Sequence, residues 1–213
     1  MATKVRPNLG VLFCCRAAGI GANCNAMNGW ILKEWAATCA ALGAGRQILL
    51  LRKGGIADGA FELEHSQFWL MPTYEHQHAS LVKPESRDLI AIAEAQKQDG
   101  ENAKFIVLRQ WARVARVWQI APEQEDRVRR APHMWSEEYL QIRWNFRPQQ
   151  PLLCVALRVY TLAQPHKLEW RENFGGCRSW ISVPETSPRE EATPALTDAE
   201  FQTQLYALEQ VFG

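Results

Sequence analysis

Hydrophobic positions along the chain fall into short blocks separated by glycine, proline and charged residues, and the spacing inside each block predicts an element. Asn28 can cap a helix whose apolar positions Ile31, Trp35, Cys39 and Leu42 recur at helical spacing, with Gly43 and Gly45 as its stop. The period then changes. Residues 46–53 are apolar on both faces in the middle and charged at both ends, the pattern of a short strand buried on two sides. Phe61, Leu63 and His65 alternate with Glu62, Glu64 and Ser66, and Phe68 to Met71 is an apolar run stopped by Pro72, which predicts a hairpin-like pair. The polar loop from Thr73 to Glu85 leads to Ser86, placed to cap a helix through about Gln98 with Leu89, Ile90 and Ala93 inward.

Two further strands are expected at 104–109 and 114–120, both rich in β-branched or aromatic residues. A charged stretch with breakers, Pro122 to Pro132, separates them from Ser136, an N-cap followed by Glu137 and Glu138, and this short helix ends near Trp144. The clearest strand is 152–162. Leu153, Val155, Leu157 and Val159 form one apolar face, read as core, while Cys154, Ala156, Arg158 and Tyr160 form the other. Strand 178–183 repeats the arrangement, with Ile181 and Val183 inward and Arg178, Trp180 and Ser182 outward. After it, 184–196 is a Pro-, Glu- and Thr-rich linker, and Thr197 to Glu200 is a capping box opening a helix with Phe201, Leu205, Leu208 and Phe212 on one stripe.

Six strands with helices before, between and after them do not alternate strictly, so the expected class is α+β, with a mainly antiparallel sheet that could close like a barrel. Doubly wound α/β is the alternative. The division expected is 1–27 as a loose tail or mis-assigned start, 28–183 as the domain, 184–196 as linker and 197–213 as a helix docking on the domain. The apolar run Leu9 to Cys15 meets Arg16 well short of the roughly 18 to 20 residues of a membrane helix, so no membrane partner is expected. A composition of 47% hydrophobic and 22% charged residues excludes disordered and collagen-like classes. The net charge of +1 argues against a whole-surface polycation, although residues 184–213 carry one base against six acids and leave the body mildly basic. Six cysteines without a C-x-x-C pair or finger-like spacing to His read as reduced thiols of a cytoplasmic protein.

Several segments together are familiar: Lys33-Glu34-Trp35-Ala36, residues 45–56, Pro72-Thr73-Tyr74-Glu75-His76-Gln77, His133-Met134-Trp135, Arg158-Val159-Tyr160 and Gly176-Cys177-Arg178-Ser179-Trp180. In this order, across about residues 28–183, they resemble the bacterial domain-of-unknown-function family numbered eighteen-oh-two. That resemblance implies no activity and no catalytic residue. Some members occur beside a restriction-type endonuclease domain, which implies a link to nucleic acid.

The residues themselves support two kinds of chemistry. Arginine supplies phosphate contacts and aromatic rings supply base stacking, so the strand faces bearing Arg158, Tyr160, Arg178 and Trp180 suggest a nucleic-acid-binding cleft, extended by Arg52, Lys53, Arg109, Arg143 and His133. The turn Gly45-Arg46 is loosely similar to turns in small β-barrels that read RNA or modified bases. The plainer reading pairs these arginines with acids such as Glu62 and Glu64 at the sheet rim and makes the tryptophans packing residues. The enzyme reading is a metal-dependent hydrolase using Glu62, Glu64, Glu75, His76 and His78, since His76 and His78 would share one face of a strand. Its plain counterpart is a solvated His pair. The chain has no G-x-S-x-G elbow, P-loop, complete G-x-G-x-x-G or H-E-x-x-H, and Glu169-Trp170-Arg171 poorly approximates a restriction-nuclease core. Cys177 beside Arg178 reads as a small residue at a tight turn. No cofactor is expected, nucleic acid is the candidate partner, and a protein-interaction module is a third possibility.

Overall fold

The structure is a computed structural model and describes residues 29–53, 63–97, 104–176, 178–183 and 192–213. Asn28, Phe61, Glu62, Cys177 and the stretch 1–27 lie outside the described residues, as do residues 184–191 of the expected linker.

Among the described residues seven strands form one sheet: β1 (Gly29–Trp35), β2 (Leu49–Arg52), β3 (Gln67–Thr73), β4 (Phe105–Ile120), β5 (Leu152–Glu169), β6 (Trp180–Val183) and β7 (Ala192–Pro194). Their order is β2-β5-β4-β3-β1-β6, with β7 also on β5. Every pair is antiparallel except β1 with β3. With α1 (Ala36–Gly43), α2 (Asp88–Ala95), α3 (Glu125–Arg130), α4 (Glu137–Asn145) and α5 (Asp198–Phe212), this is an α+β fold around a mainly antiparallel sheet.

The first element differs from its sequence pattern. Residues 29–35 are a strand and only 36–43 are helical, because Ile31 and Leu32 are both buried, on opposite faces of β1, between β3 and β6. A helical stripe cannot describe a segment covered on both sides. The expected hairpin is also replaced: residues 63–66 form no strand, and β3 runs parallel to β1 and antiparallel to β4. Strands expected at 104–109 and 114–120 are one strand, β4, whose ladder with β5 shifts register between Leu108 and Gln110 and between Val114 and Arg116. Ser136 caps α4 as expected, its hydroxyl accepting from the Tyr139 N–H. Ser86 instead sits in a 3-10 turn before α2 and makes no cap bond there.

The hydrogen-bonded path of the sheet is open, yet its β2 edge reaches β1. The Arg52 guanidinium at the end of β2 pairs with Glu34 of β1 at 3.0 Å, and the same nitrogen donates to the Lys33 carbonyl at 3.3 Å. Strand twist rolls the sheet far enough for this clasp to form without a closing ladder. Inside the roll, Leu50, Val155 and Leu157 belong to one core with Leu32, Phe68, Leu70 and Ala112. Helix α1 is buried from Ala36 to Leu42; Cys39 and Leu42 join that core while Ala36, Ala37, Ala40 and Ala41 join a second one beneath α2, α4 and α5. Alanine gives a helix buried all round the thinness it needs. After α1 the chain turns at Gly45, whose φ of +66° and approach to Leu196 suit only glycine.

Helix α5 has the expected capping box and buries Phe201, Leu208 and Phe212. It covers the β5 face carrying Cys154, Ala156 and Arg158, so both faces of this strand are core there. Arg158 is 6% exposed; it pairs with Asp198 at 2.7 Å, donates to the Thr197 carbonyl and lies over the Phe201 ring. Residues 192–194 add β7 to β5 just before this helix. Cys39 and Cys154 are free and buried, and burial pushes both thiols up.

This packing generates two stability predictions. The Glu34 and Arg52 side chains are 4% and 13% exposed, so Arg52→Met leaves a buried carboxylate uncompensated and costs about 3–5 kcal/mol in urea unfolding, whereas Glu209→Gln, breaking the half-exposed pair with Arg116, costs about 1 kcal/mol or less. His133 is 8% exposed, and burial, with Lys83 nearby, lowers its pKa to about 4. A depressed histidine contributes stability that is full above about pH 6.5 and is lost as pH falls from there towards 4, on the order of 3 kcal/mol in all. Urea midpoints measured across that window should fall less steeply for His133→Gln than for the parent protein.

Candidate functional site

The site begins where two strands part. β3 stays paired with β1 as far as Thr73, but its ladder with β4 covers only Gln67↔Arg113 to Leu70↔Gln110. At that point the β4–β5 register shifts, between Leu108 and Gln110, and a bulge of this kind bends a strand and re-aims its side chains. Beyond it β3 and β4 diverge, leaving a cleft of about 350 Å³. One wall is Met71 to Glu75, the other Phe105 to Val107 with Arg109; Lys33 of β1, Gln96 and Lys97 after α2, and Trp170 and Phe174 to Gly176 after β5 complete it.

Its chemistry is cationic and aromatic. Lys33 Nζ donates to the carbonyls of Gly175 (3.1 Å) and Gly176 (2.8 Å), fixing the loop after β5 against β1. Lys97 Nζ stands 5.8 Å from the centre of the Tyr74 ring. Burial pushes the Tyr74 phenol up, a tendency that the Arg109 charge opposes. Among the described residues the Arg109 side chain makes no hydrogen bond or ion pair with a protein group. Phe105 and Trp170 are 39% and 44% exposed, and the Trp170 backbone N–H donates to the Lys104 carbonyl, tying the two rim segments together. Phe174 is buried beneath, edge-on to Trp170. Among the described residues Glu75 is the one acid lining this cleft, against Lys33, Lys97 and Arg109.

Of the arginine and aromatic set expected from sequence, Arg109 alone lines the cleft. Arg52 is in the clasp. Lys53 is 2% exposed, its ammonium donating to the Trp144 carbonyl and lying over the indole, and burial pushes its pKa down. His133 is buried with Nε2 donating to the Val128 carbonyl. Arg143 donates to the Tyr139 hydroxyl. Arg158 lies under α5, Tyr160 stacks flat on Trp111 at 4.1 Å, and Trp180 meets Phe68 and His65 edge-on. Arg178 is exposed. Arg52, Arg158, Arg178 and Trp180 do not share the lining of this cleft.

Of the hydrolase set, Glu75 lines the cleft, His76 is exposed with a φ of 63°, His78 is exposed, and Glu64 lies 3.8 Å from His65 Nε2. Among the described residues no three His, Cys, Asp or Glu side chains come together in a way that could hold a metal ion.

Sequence reasoning missed Lys33, Tyr74, Lys97, Phe105 and Trp170. A usable signal existed for Trp170, which stands between Glu169 and Arg171 as a large ring among charges, whereas Phe105 opens an apolar run and carries no such mark. Three of the segments that carried the family resemblance, 33–36, 72–77 and 176–180, also contribute to this cleft.

No curated protein matches the sequence. Among solved structures, a mutant of ZmASCH from Zymomonas mobilis is 14% identical at a TM-score of 0.38, covering 84% of this chain and 98% of that one. ASCH from Zymomonas mobilis is 16% identical at a TM-score of 0.37, covering 85% and 95%. Likeness at this level bears on neither site nor activity. Residues 31–207 match the model of the family described as Domain of unknown function (DUF1802), most of the chain, and the protein belongs to that family.

Proposed function

We propose that the protein is a recognition module that binds a single nucleic-acid strand at the cleft between β3 and β4. The observation that carries this reading is the lining itself: Lys33, Lys97 and Arg109 share one open cleft with the exposed rings of Phe105 and Trp170. Cations attract the phosphate backbone and exposed rings stack on bases, which any base face accepts. Duplex DNA suits the cleft less well, because its bases are already stacked on each other. Among the described residues no arrangement of His and carboxylate side chains favours the metal-dependent hydrolase.

Fluorescence anisotropy with labelled single-stranded RNA and DNA at rising salt tests this. Binding should weaken with salt, and Lys97→Ala or Arg109→Ala should each lower affinity and reduce the salt slope by about one for each phosphate no longer neutralised. Trp170→Ala should cost about 1–3 kcal/mol, the worth of one stacked base. Arg178→Ala, outside the cleft, should bind as the parent does. Absence of binding at low salt, or cleft variants that bind like the parent, would remove the reading.

A further inference from the structure

The cleft is small and one part of its lining is unusual. Its volume of about 350 Å³ lies near the lower end of the roughly 300–1,000 Å³ of small-ligand sites, room for one nucleotide rather than a run of them. Its two long walls are strands that have separated. Residues 71–73 are paired with β1 on one side, and Phe105 to Val107 are paired with β5, while the β3–β4 ladder has already ended at Leu70↔Gln110. Among the described residues, the edges facing each other across the cleft therefore carry no rungs between them. Backbone groups alternate sides along a strand, so Met71 and Thr73 face β1 and Ile106 faces β5, while Pro72 presents its carbonyl, and Phe105 and Val107 their N–H and C=O, on the side of the cleft. A nucleobase edge carries donors and acceptors in a fixed pattern, and only an unstacked base can bring that edge into a cleft. The rim rings Phe105 and Trp170 supply the faces against which such a base stands, and the bonds from Lys33 to Gly175 and Gly176 hold the adjoining wall in place before any ligand arrives.

We infer that the cleft takes in one unstacked nucleotide of the bound strand and reads its base with the backbone groups that face it, the carbonyl of Pro72 and the N–H and C=O of Phe105 and Val107. This inference rests on the single-strand reading above. It makes the protein selective for one base at one position, where stacking and phosphate contacts alone are tolerant of sequence.

Competition distinguishes the two claims. A labelled single-stranded oligonucleotide of mixed sequence is bound to the full chain, and the four nucleoside 5′-monophosphates and ribose 5-phosphate are titrated in separately. The expected result is that one monophosphate displaces the oligonucleotide about tenfold better than the other three, the discrimination that one well-made pair of hydrogen bonds supplies, and that ribose 5-phosphate is inert. Trp170→Ala should weaken the favoured monophosphate and leave the unfolding midpoint unchanged. Equal displacement by all four monophosphates, displacement by ribose 5-phosphate as good as by any of them, or no displacement while the oligonucleotide still binds would overturn the inference and leave the strand-binding reading intact. No binding of the oligonucleotide itself would remove both.

Discussion

The ion pair between Arg52 and Glu34 joins β2 to β1 across the roll of the sheet. β2 and β1 are separated in the sheet by β5, β4 and β3, yet the end of one touches the other, so the whole sheet must roll to let a single side chain span the remaining gap. A buried pair of this kind returns little net energy, because both charges lose their water. Its consequence is geometric. The guanidinium holds the carboxylate of Glu34 and the carbonyl of Lys33 together, and the Lys33 side chain holds the carbonyls of Gly175 and Gly176 at the cleft. One strand thus connects the closure of the roll to a wall of the site. Glu34 is tied further: its side chain accepts from the Trp35 N–H, and its carbonyl accepts from the Thr73 hydroxyl at the far end of β3.

The cleft arises from the same economy of backbone pairing. β4 is long enough to serve β3 along its middle and β5 along most of its length, and a bulge at Leu108/Gln110 bends it where the first of these pairings stops. A flat continuation would have closed the gap with further rungs. The bend leaves it open and brings Arg109 to its wall, with the rings of Phe105 and Trp170 also lining it. Surface charge follows a related division: the acids of the C-terminal segment meet arginines of the body at Asp198 and Glu209, so α5 covers one basic sheet face while the cleft keeps its cations.

Elements fixed by local chemistry were legible in the sequence. The capping box at Thr197, the serine cap at Ser136, the apolar run of β2 and the alternation of β5 each carry their own signal, and each forms. Where both faces of a segment are buried, periodicity says little: residues 29–35 matched a helical stripe at Ile31 and Trp35 although β1 is a strand between two others. The site was legible only in part. Arg109 and Glu75 were singled out, but residue type could not distinguish a cation at the cleft from one satisfied within the fold, such as Arg158 beneath α5 or Lys53 against Trp144. Those assignments depend on long-range contacts, with Asp198 lying forty residues beyond Arg158. The end of the β3–β4 ladder left still less trace, since it follows from a register shift between strands rather than from a residue type.

Hydrogen–deuterium exchange with and without a saturating single-stranded oligonucleotide at low salt would locate the binding surface. Protection on binding should be confined to the segments that meet at the cleft, residues 71–75, 96–97, 104–109 and 170–176. Protection centred instead on β5 and α5 around Arg158 and Asp198, or spread evenly over the surface, would contradict binding at the cleft.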